Sequence, residues 1–452
     1  MSKISGVLIA LLLIVQIHVV LATETSELPS AQVKGSVWTL RQALAYALEH
    51  NPDAEAARQR IWQARAALQE ANASLYPQLS VSGGYTRTNN PMHSFGNILN
   101  QGQFSESIDF NKPGTTDSLF GQIMLRYPLY NGGRDQASRL AAGKQNEAVE
   151  QQARVTREQL SFEVIRAYHS ILQAKGTVTA RDIALASLQT ALDRAKARFQ
   201  EGTLLKEEVL MLEAEQAAAE ETLLQARHSE RLARLGLALL LGKEPETVRL
   251  AESDPAKRTD LPIPAASTSL QRPELAAMDL MLAAQRALIR QAQAARYPSA
   301  EVFGSYQVEQ GTTMDEGSGD SWAAGLRLNQ TLFDGKASQA AIAREEARLA
   351  ELLAQQRKLQ LSLAMEVEEA RLRLTQETEK LAVAERRLQS SSESVRLTRL
   401  RFQEGLSTTT ELIDAEKRLA EATSGHAQTN HARHIAVAQL RYSYGLPLLD
   451  SE

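Results

Sequence analysis

Apolar residues recur along the middle of the chain in alternating steps of three and four. From Leu160 the seam runs through Val164, Ala167, Ile171, Ala174, Val178, Arg181, Leu185, Leu188, Leu192 and Ala195 to Phe199, with Arg181 its one polar position. A mean step of 3.5 residues is the signature of a left-handed coiled coil. The same phase returns at Val367, Ala370, Leu374, Leu381, Ala384, Leu388, Val395 and Phe402. Val209, Leu212, Ala219, Leu223, Ala226, Ala233, Leu237 and Leu240 carry it on a third stretch. The pattern predicts long helices over 133–200 and 336–403 and returning helices over 205–241 and 408–444. These make two antiparallel helical hairpins. A 68-residue helix is roughly 100 Å long, far beyond a globular domain.

Elsewhere the period falls to two. Leu79, Val81 and Tyr85 alternate with Ser80, Ser82 and Gly84, and Leu119, Ile123, Leu125, Tyr127 and Leu129 alternate with Phe120, Gln122, Met124 and Arg126. Val302 and Tyr306 alternate with Glu301, Ser305 and Gln307, and Trp322, Ala324, Leu326 and Leu328 with Ala323, Gly325, Arg327 and Asn329. Such segments predict four strands with one apolar and one polar face. Their length, with Tyr and Trp near the ends, suits strands that cross an outer membrane.

The two halves share one ruler. Arg198-Phe199-Gln200-Glu201-Gly202 recurs as Arg401-Phe402-Gln403-Glu404-Gly405. Pro52 to Pro77 and Pro273 to Pro298 are both 25 residues, Gly132 to Gly202 and Gly335 to Gly405 both 70, and Gly202 to Gly242 and Gly405 to Gly445 both 40. Only Pro77 to Gly132 differs, at 55 against 37, which puts 18 extra residues in one loop between about Thr88 and Asp117. Its Asn-Pro and Lys-Pro-Gly steps read as turn chemistry. The first repeat therefore spans 23–242, with helices at about 39–50 and 52–75 and a hairpin at about 78–130. A linker occupies 243–272. The second repeat spans 273–452, with a helix at about 273–296 and a hairpin at about 299–333. Thr39 is placed to cap the first helix, and Asn51-Pro52 and the two Tyr-Pro steps punctuate the next ones.

The first 22 residues read as a signal peptide: Lys3, an unbroken apolar run over 7–15, then Val20-Leu21-Ala22 before a polar segment. Gln16 and His18 interrupt a run already short for a membrane-spanning helix. The chain of 452 residues has no cysteine, which excludes disulfides, zinc ribbons, iron–sulfur clusters and a thiol nucleophile. A net charge of −4 without a dense basic patch argues against nucleic acid as a partner. Neither a nucleophile elbow nor a phosphate-binding glycine loop occurs, so the sequence predicts no enzyme and no cofactor. His426, His431 and His434 share one predicted helix. No acidic residue stands at a diagnostic spacing beside them, and they read as solvated or tunnel-facing rather than metal-binding.

Four strands cannot close a membrane barrel, and an open edge in lipid leaves backbone groups unpaired. The chain must therefore associate. Two copies give eight strands and a plugged interior, whereas three give twelve strands with room for a channel and twelve helical columns, which at roughly 10 Å spacing form a ring about 38 Å across.

In its Thr39-Leu40…Asn51-Pro52 helix, two Tyr-Pro strand starts, Leu129-Tyr130-Asn131-Gly132-Gly133, Leu332-Phe333-Asp334-Gly335 and two Arg-Phe-Gln-Glu-Gly tips, the mature chain resembles the TolC family of outer-membrane efflux proteins throughout. The resemblance implies a mainly α fold with a β-barrel contribution: two tandem repeats, coiled-coil hairpins forming an α-barrel, and four transmembrane strands per protomer of a homotrimer. It implies a location in outer-membrane lipid with a long periplasmic tunnel, served by a periplasmic adaptor (membrane fusion) protein and an inner-membrane transporter. The chain would be the passive exit duct for efflux or type I secretion. A secreted coiled-coil structural or adhesive protein is the alternative.

The resemblance also places functional residues. The tips, with Arg198, Phe199, Gly202, Thr203, Arg401, Gly405 and Leu406, would dock the adaptor. Glu411 and Asp414 match the family's acidic ring at the periplasmic entrance, and their three-residue spacing shares one helical face. Glu207 and Glu208 follow the first tip, and Glu208 matches an acidic partner for gate closure. Here the chain departs from the family: Phe402 stands where a hydrogen-bonding tyrosine is found and Ser407 where an arginine is found, which puts those closing links in doubt.

Overall fold

The computed structural model describes residues 37–244, 248–251, 263–265, 270–312 and 317–448. The predicted signal peptide 1–22 and most of the 243–272 linker lie outside the described residues. The chain is mainly helical with one antiparallel sheet. Its elements are β1 (Val37–Trp38), α1 (Leu40–His50), α2 (Pro52–Ala73), β2 (Gln78–Thr88), α3 (Pro91–Asn100), β3 (Thr116–Asn131), α4 (Arg134–Gln200), α5 (Lys206–Leu240), β4 (Arg249–Leu250), α6 (Pro273–Gln293), β5 (Ser299–Gln310), β6 (Ser318–Asn329), α7 (Ala337–Gln403) and α8 (Thr409–Tyr444).

Local signals account for most boundaries. Thr39 accepts a hydrogen bond from the Gln42 amide while the Gln42 side chain accepts from the Thr39 amide, a closed capping box at the start of α1. Asn51 caps α2 through the Asp53 amide, with Pro52 in the first turn, where its missing N–H costs nothing. Strand turns into long helix through two consecutive left-handed residues, Gly132 and Gly133 in the first half and Gly335 and Lys336 in the second. Lys336, at φ 71°, is the one non-glycine in that region among the described residues, a strain of about 1–2 kcal/mol for an L-residue.

α4 and α7 are each 67 residues long, one shorter than the spacing predicts and about 100 Å each. α4 packs against α5 and α7 against α8, and α4 also runs beside α2, α6 and α8. Their apolar seams fill three clusters. The first surrounds Trp38, Leu40, Val164, Tyr168, Ile171 and Leu237, and the second joins Leu188, Leu192, Leu212, Phe402 and Leu412 near the tips. The third joins Val367, Leu374, Val437 and Leu440. Burying each such side chain contributes roughly 1.5–3 kcal/mol. One seam position departs from expectation. The Phe199 ring is 42% exposed whereas Phe402, in the identical pentapeptide, is 3% exposed. The tip of α7 is enclosed by α4 and α8, and the Phe199 side of α4 has no such neighbour.

The sheet runs β2-β3-β5-β6, so β3 pairs with β5 and joins the two hairpins. The register aligns Val81, Ile123, Tyr306 and Trp322 on one face, and Ser82, Gln122, Gln307 and Ser321 on the other. The apolar face is open: Trp322 is 77% and Leu328 71% exposed. Among the described residues no helix is long and apolar enough to cross a membrane.

The loop between β2 and β3 contains a helix where the sequence predicts turns. Asn90 accepts from the Met92 and His93 amides and Pro91 takes the first helical position, so the Asn-Pro step starts α3 instead of closing a turn.

Candidate functional site at the hairpin tips

Each hairpin turns through a Schellman motif. At the first tip Gly202 has φ 77°, its amide donates to the Phe199 carbonyl at 3.0 Å, and the Thr203 amide to that of Arg198 at 2.9 Å. Gly405, at φ 75°, repeats this with Phe402 at 3.2 Å and, through the Leu406 amide, with Arg401 at 2.8 Å. Gly202, Thr203 and Leu406 are exposed beyond the helix ends.

The two arginines of the repeated pentapeptide do different work. Arg198 reaches across to the second hairpin, where Nη1 donates to the Phe402 carbonyl at 3.3 Å and the guanidinium lies 5.9 Å from the centre of the Phe402 ring. A side chain at Gly405 would place its Cβ 3.2 Å from Arg198 Nη2. Arg401 stays in its own tip, donating to the Leu406 carbonyl at 3.0 Å, with its guanidinium 3.9 Å from the Glu411 carboxylate.

The acidic residues above the tips fall into two sets. Glu411 and Asp414 are exposed on α8, and Glu207 is exposed on α5. Ser407 donates to the Glu411 carboxylate, and this bond, helped by Thr408 and the Arg401 charge, holds the Glu411 pKa below the ordinary carboxylate value. Ser407, though uncharged, thus still contacts Glu411 through its hydroxyl. Glu208 faces inward. One of its oxygens accepts from the Leu205 amide at 3.5 Å and the other from the Thr409 hydroxyl at 3.2 Å. Phe402 offers Glu208 no hydrogen bond, as the sequence implies, but buried Thr409 supplies a link between the hairpins instead.

About two turns farther along α8 lies a network that sequence reasoning missed. Glu416 is 4% exposed and forms a bidentate pair with Arg399 of α7, at 2.5 and 2.7 Å, while Ser187 of α4 donates to it at 3.0 Å. Three helices meet on one carboxylate. The signal available in sequence was a glutamate on an otherwise apolar helix face beside Leu412, Ile413 and Ala420. Exposed Lys417 adds a pair with the largely covered Glu215 of α5 at 2.7 Å.

The structure brings His431 and His434 against His169 of α4, a residue 262 positions away from His431 and not singled out from the sequence. His169 and His431 have their Nδ1 atoms 3.4 Å apart, and the His169 and His434 rings stack at 5.2 Å. His426 makes none of these ring contacts. Among the described residues no group of three histidines or carboxylates is set to hold a metal ion.

These features match known proteins over almost the whole chain. The family described as outer membrane efflux protein matches residues 43–243 and 266–446. Nodulation protein T of Rhizobium leguminosarum bv. trifolii is 22% identical over 411 residues, 88% of this chain and 84% of that protein. The fold is shared with VceC of Vibrio cholerae (20% identity, TM-score 0.74, 91% of this chain and 97% of that one). It is shared equally with the Campylobacter jejuni CmeC outer membrane channel (16%, 0.75, 90% and 85%). The open state of the Neisseria gonorrhoeae MtrE outer membrane channel also matches (20%, 0.74, 91% and 89%). Family and fold are those of outer-membrane channels and not of enzymes, and the chain belongs to the outer membrane efflux protein family.

Proposed function

We propose that three copies of this chain form an outer-membrane exit duct, passing substrates from a periplasmic adaptor and an inner-membrane transporter to the cell exterior. The observation that carries the reading is the four-stranded sheet, whose exposed face is apolar and whose outer strands β2 and β6 each leave one edge without a strand partner within the described residues. In lipid each unpaired edge group costs several kcal/mol, so the sheets close on one another. Strands of 11 to 16 residues span the apolar band, about 25 Å tall, that such barrels expose. In this reading the two halves of the chain are tandem copies. Three pairs of hairpins continue the barrel as a periplasmic tunnel, and the signal peptide directs export.

The tips are the adaptor-docking end, and the acidic ring above them is the periplasmic gate. Glu411 and Asp414 supply six carboxylates to the axis, with Glu207 on the neighbouring helix. Glu208, Phe402 and Ser407 belong to the contacts that hold the hairpins closed. Replacing Gly202 and Gly405 with leucine forces a branched side chain into a left-handed turn and, at Gly405, against Arg198. Export is expected to fall at least tenfold in the double variant while detergent-extracted trimers from the outer-membrane fraction remain. Normal export with both leucines in place contradicts the docking assignment. A detergent-free soluble rod, found for the natural chain, contradicts the duct and returns the secreted structural protein.

A further inference from the structure

We propose that α3 and the three phenylalanines around it form an inward-folded cap that meets its two symmetry copies at the outer mouth of the duct. This rests on the trimeric barrel proposed above.

The placement of α3 is set by the pleat. Residues paired across the strands share a face, and Phe120, Glu309 and Gly319 lie on the polar face with Gln122, Gln307 and Ser321. α3 docks on that face. The Asn97 side chain donates to Thr116, and Asn100 donates to Glu309 at 3.4 Å, which also accepts from Ser118. A Cβ on Gly319 would collide with the Asn100 carbonyl, and one on Gly317 with Gln103. The wall is therefore stripped of side chains where the helix end lies. Gln101, buried, donates to the Asp117 carbonyl at 2.7 Å, and Asp117 accepts from the Thr312 amide at 2.9 Å. A loop merely hanging in solvent would not bury Ser94, Gln101, Thr116 and Ser118 together.

The apolar face outward from the sheet is open. Phe95 contacts Phe104 and Phe110 at ring distances of 6.1 and 4.7 Å, and Phe104 and Phe110 are themselves exposed, as is Met92. Three of the nine phenylalanines in the chain gather here, away from the lipid-type face. The dimensions select the occupant. A closed barrel of twelve strands spaced about 4.8 Å and tilted about 40° has a backbone radius of about 12 Å. Three helices each about 10 Å thick, packed round an axis, fill a circle of about 11 Å radius. Inside such a mouth, among the described residues, the apolar surface close enough to cover Phe104 and Phe110 is the same segment of the other two copies.

The test uses the full chain, which has no natural cysteine. Phe104→Cys is expected to give oxidant-dependent covalent dimers of subunits. Phe104→Ser with Phe110→Ser is expected to raise single-channel conductance in planar bilayers at least twofold over the natural chain, with trimers intact. Replacement of 91–114 by a short glycine-serine turn should raise it further. Unchanged conductance in conducting serine and loop variants, together with no cross-link from Phe104→Cys, overturns the cap and leaves the duct standing. Absence of conductance from every variant and from the natural chain, with no cross-link, overturns the duct and the cap with it.

Discussion

Replacing Glu411 and Asp414 together with alanine is expected to abolish the cation preference of the channel and its block by divalent cations. Both carboxylates are exposed on one face of α8, and the proposed trimeric gate would bring six to its axis. Clustered like charges attract cations and are neutralised by them. The Glu411 carboxylate is held ionised below its ordinary range by the Ser407 hydroxyl. Sign matters here. A depressed carboxylate pKa means charge is kept as pH falls, and is lost only on passing below the depressed value. Ser407→Ala should therefore shift the loss of divalent block to higher pH than in the natural chain. Single-channel recording with cation gradients checks both. Unchanged selectivity and unchanged block in the double alanine variant would sink the gate assignment.

The second large effect is expected from Arg399→Ala. Glu416 would be left as a buried carboxylate with Ser187 as its one remaining side-chain donor among the described residues. Stranding one partner of a buried pair costs about 3–5 kcal/mol, and partial exposure of Arg399 argues for the lower end. The cost falls where α4, α7 and α8 meet, so the closed arrangement of the hairpins loses it and an open one, where water reaches Glu416, does not. The variant should conduct several-fold more often at rest and admit large antibiotics added outside the cell. The pair Arg399→Met with Glu416→Met removes both charges and should restore closure. Resting conductance in Arg399→Ala equal to that of the natural chain would show that this network does not hold the hairpins together.

Much of the fold was legible because it is written in periodicity. Heptads point to three of the long helices and the repeat spacing to the fourth, and alternation points to the strands, since these patterns report which face is covered. The pairing of β3 with β5 is not written there, because it joins segments almost two hundred residues apart. The short β1–β4 bridge of two residues per strand is below any pattern. α3 was missed because Asn-Pro serves a turn and a helix start equally well, and the docking of the helix on the sheet decides between them. Identical pentapeptides gave Phe199 and Phe402 opposite exposures, since burial at a tip depends on which hairpin is enclosed. Likewise the loss of a tyrosine at Phe402 said nothing of Thr409, which approaches Glu208 from another helix. Side-chain partners separated by two hundred residues are a property of packing.

Closure of three sheets into one barrel is the central claim, and cross-linking of strand edges tests it most directly. In a closed trimer β6 of each copy lies beside β2 of the next. Cysteines placed pairwise at Ser80 or Ser82 of β2 and at Ser321 or Ala323 of β6 scan the register in a chain that has none of its own. The account predicts that at least one pair gives an oxidant-dependent ladder ending at three chains, with neither single-cysteine parent producing it. No trimer from any pair, or a ladder that continues past three chains, would contradict it.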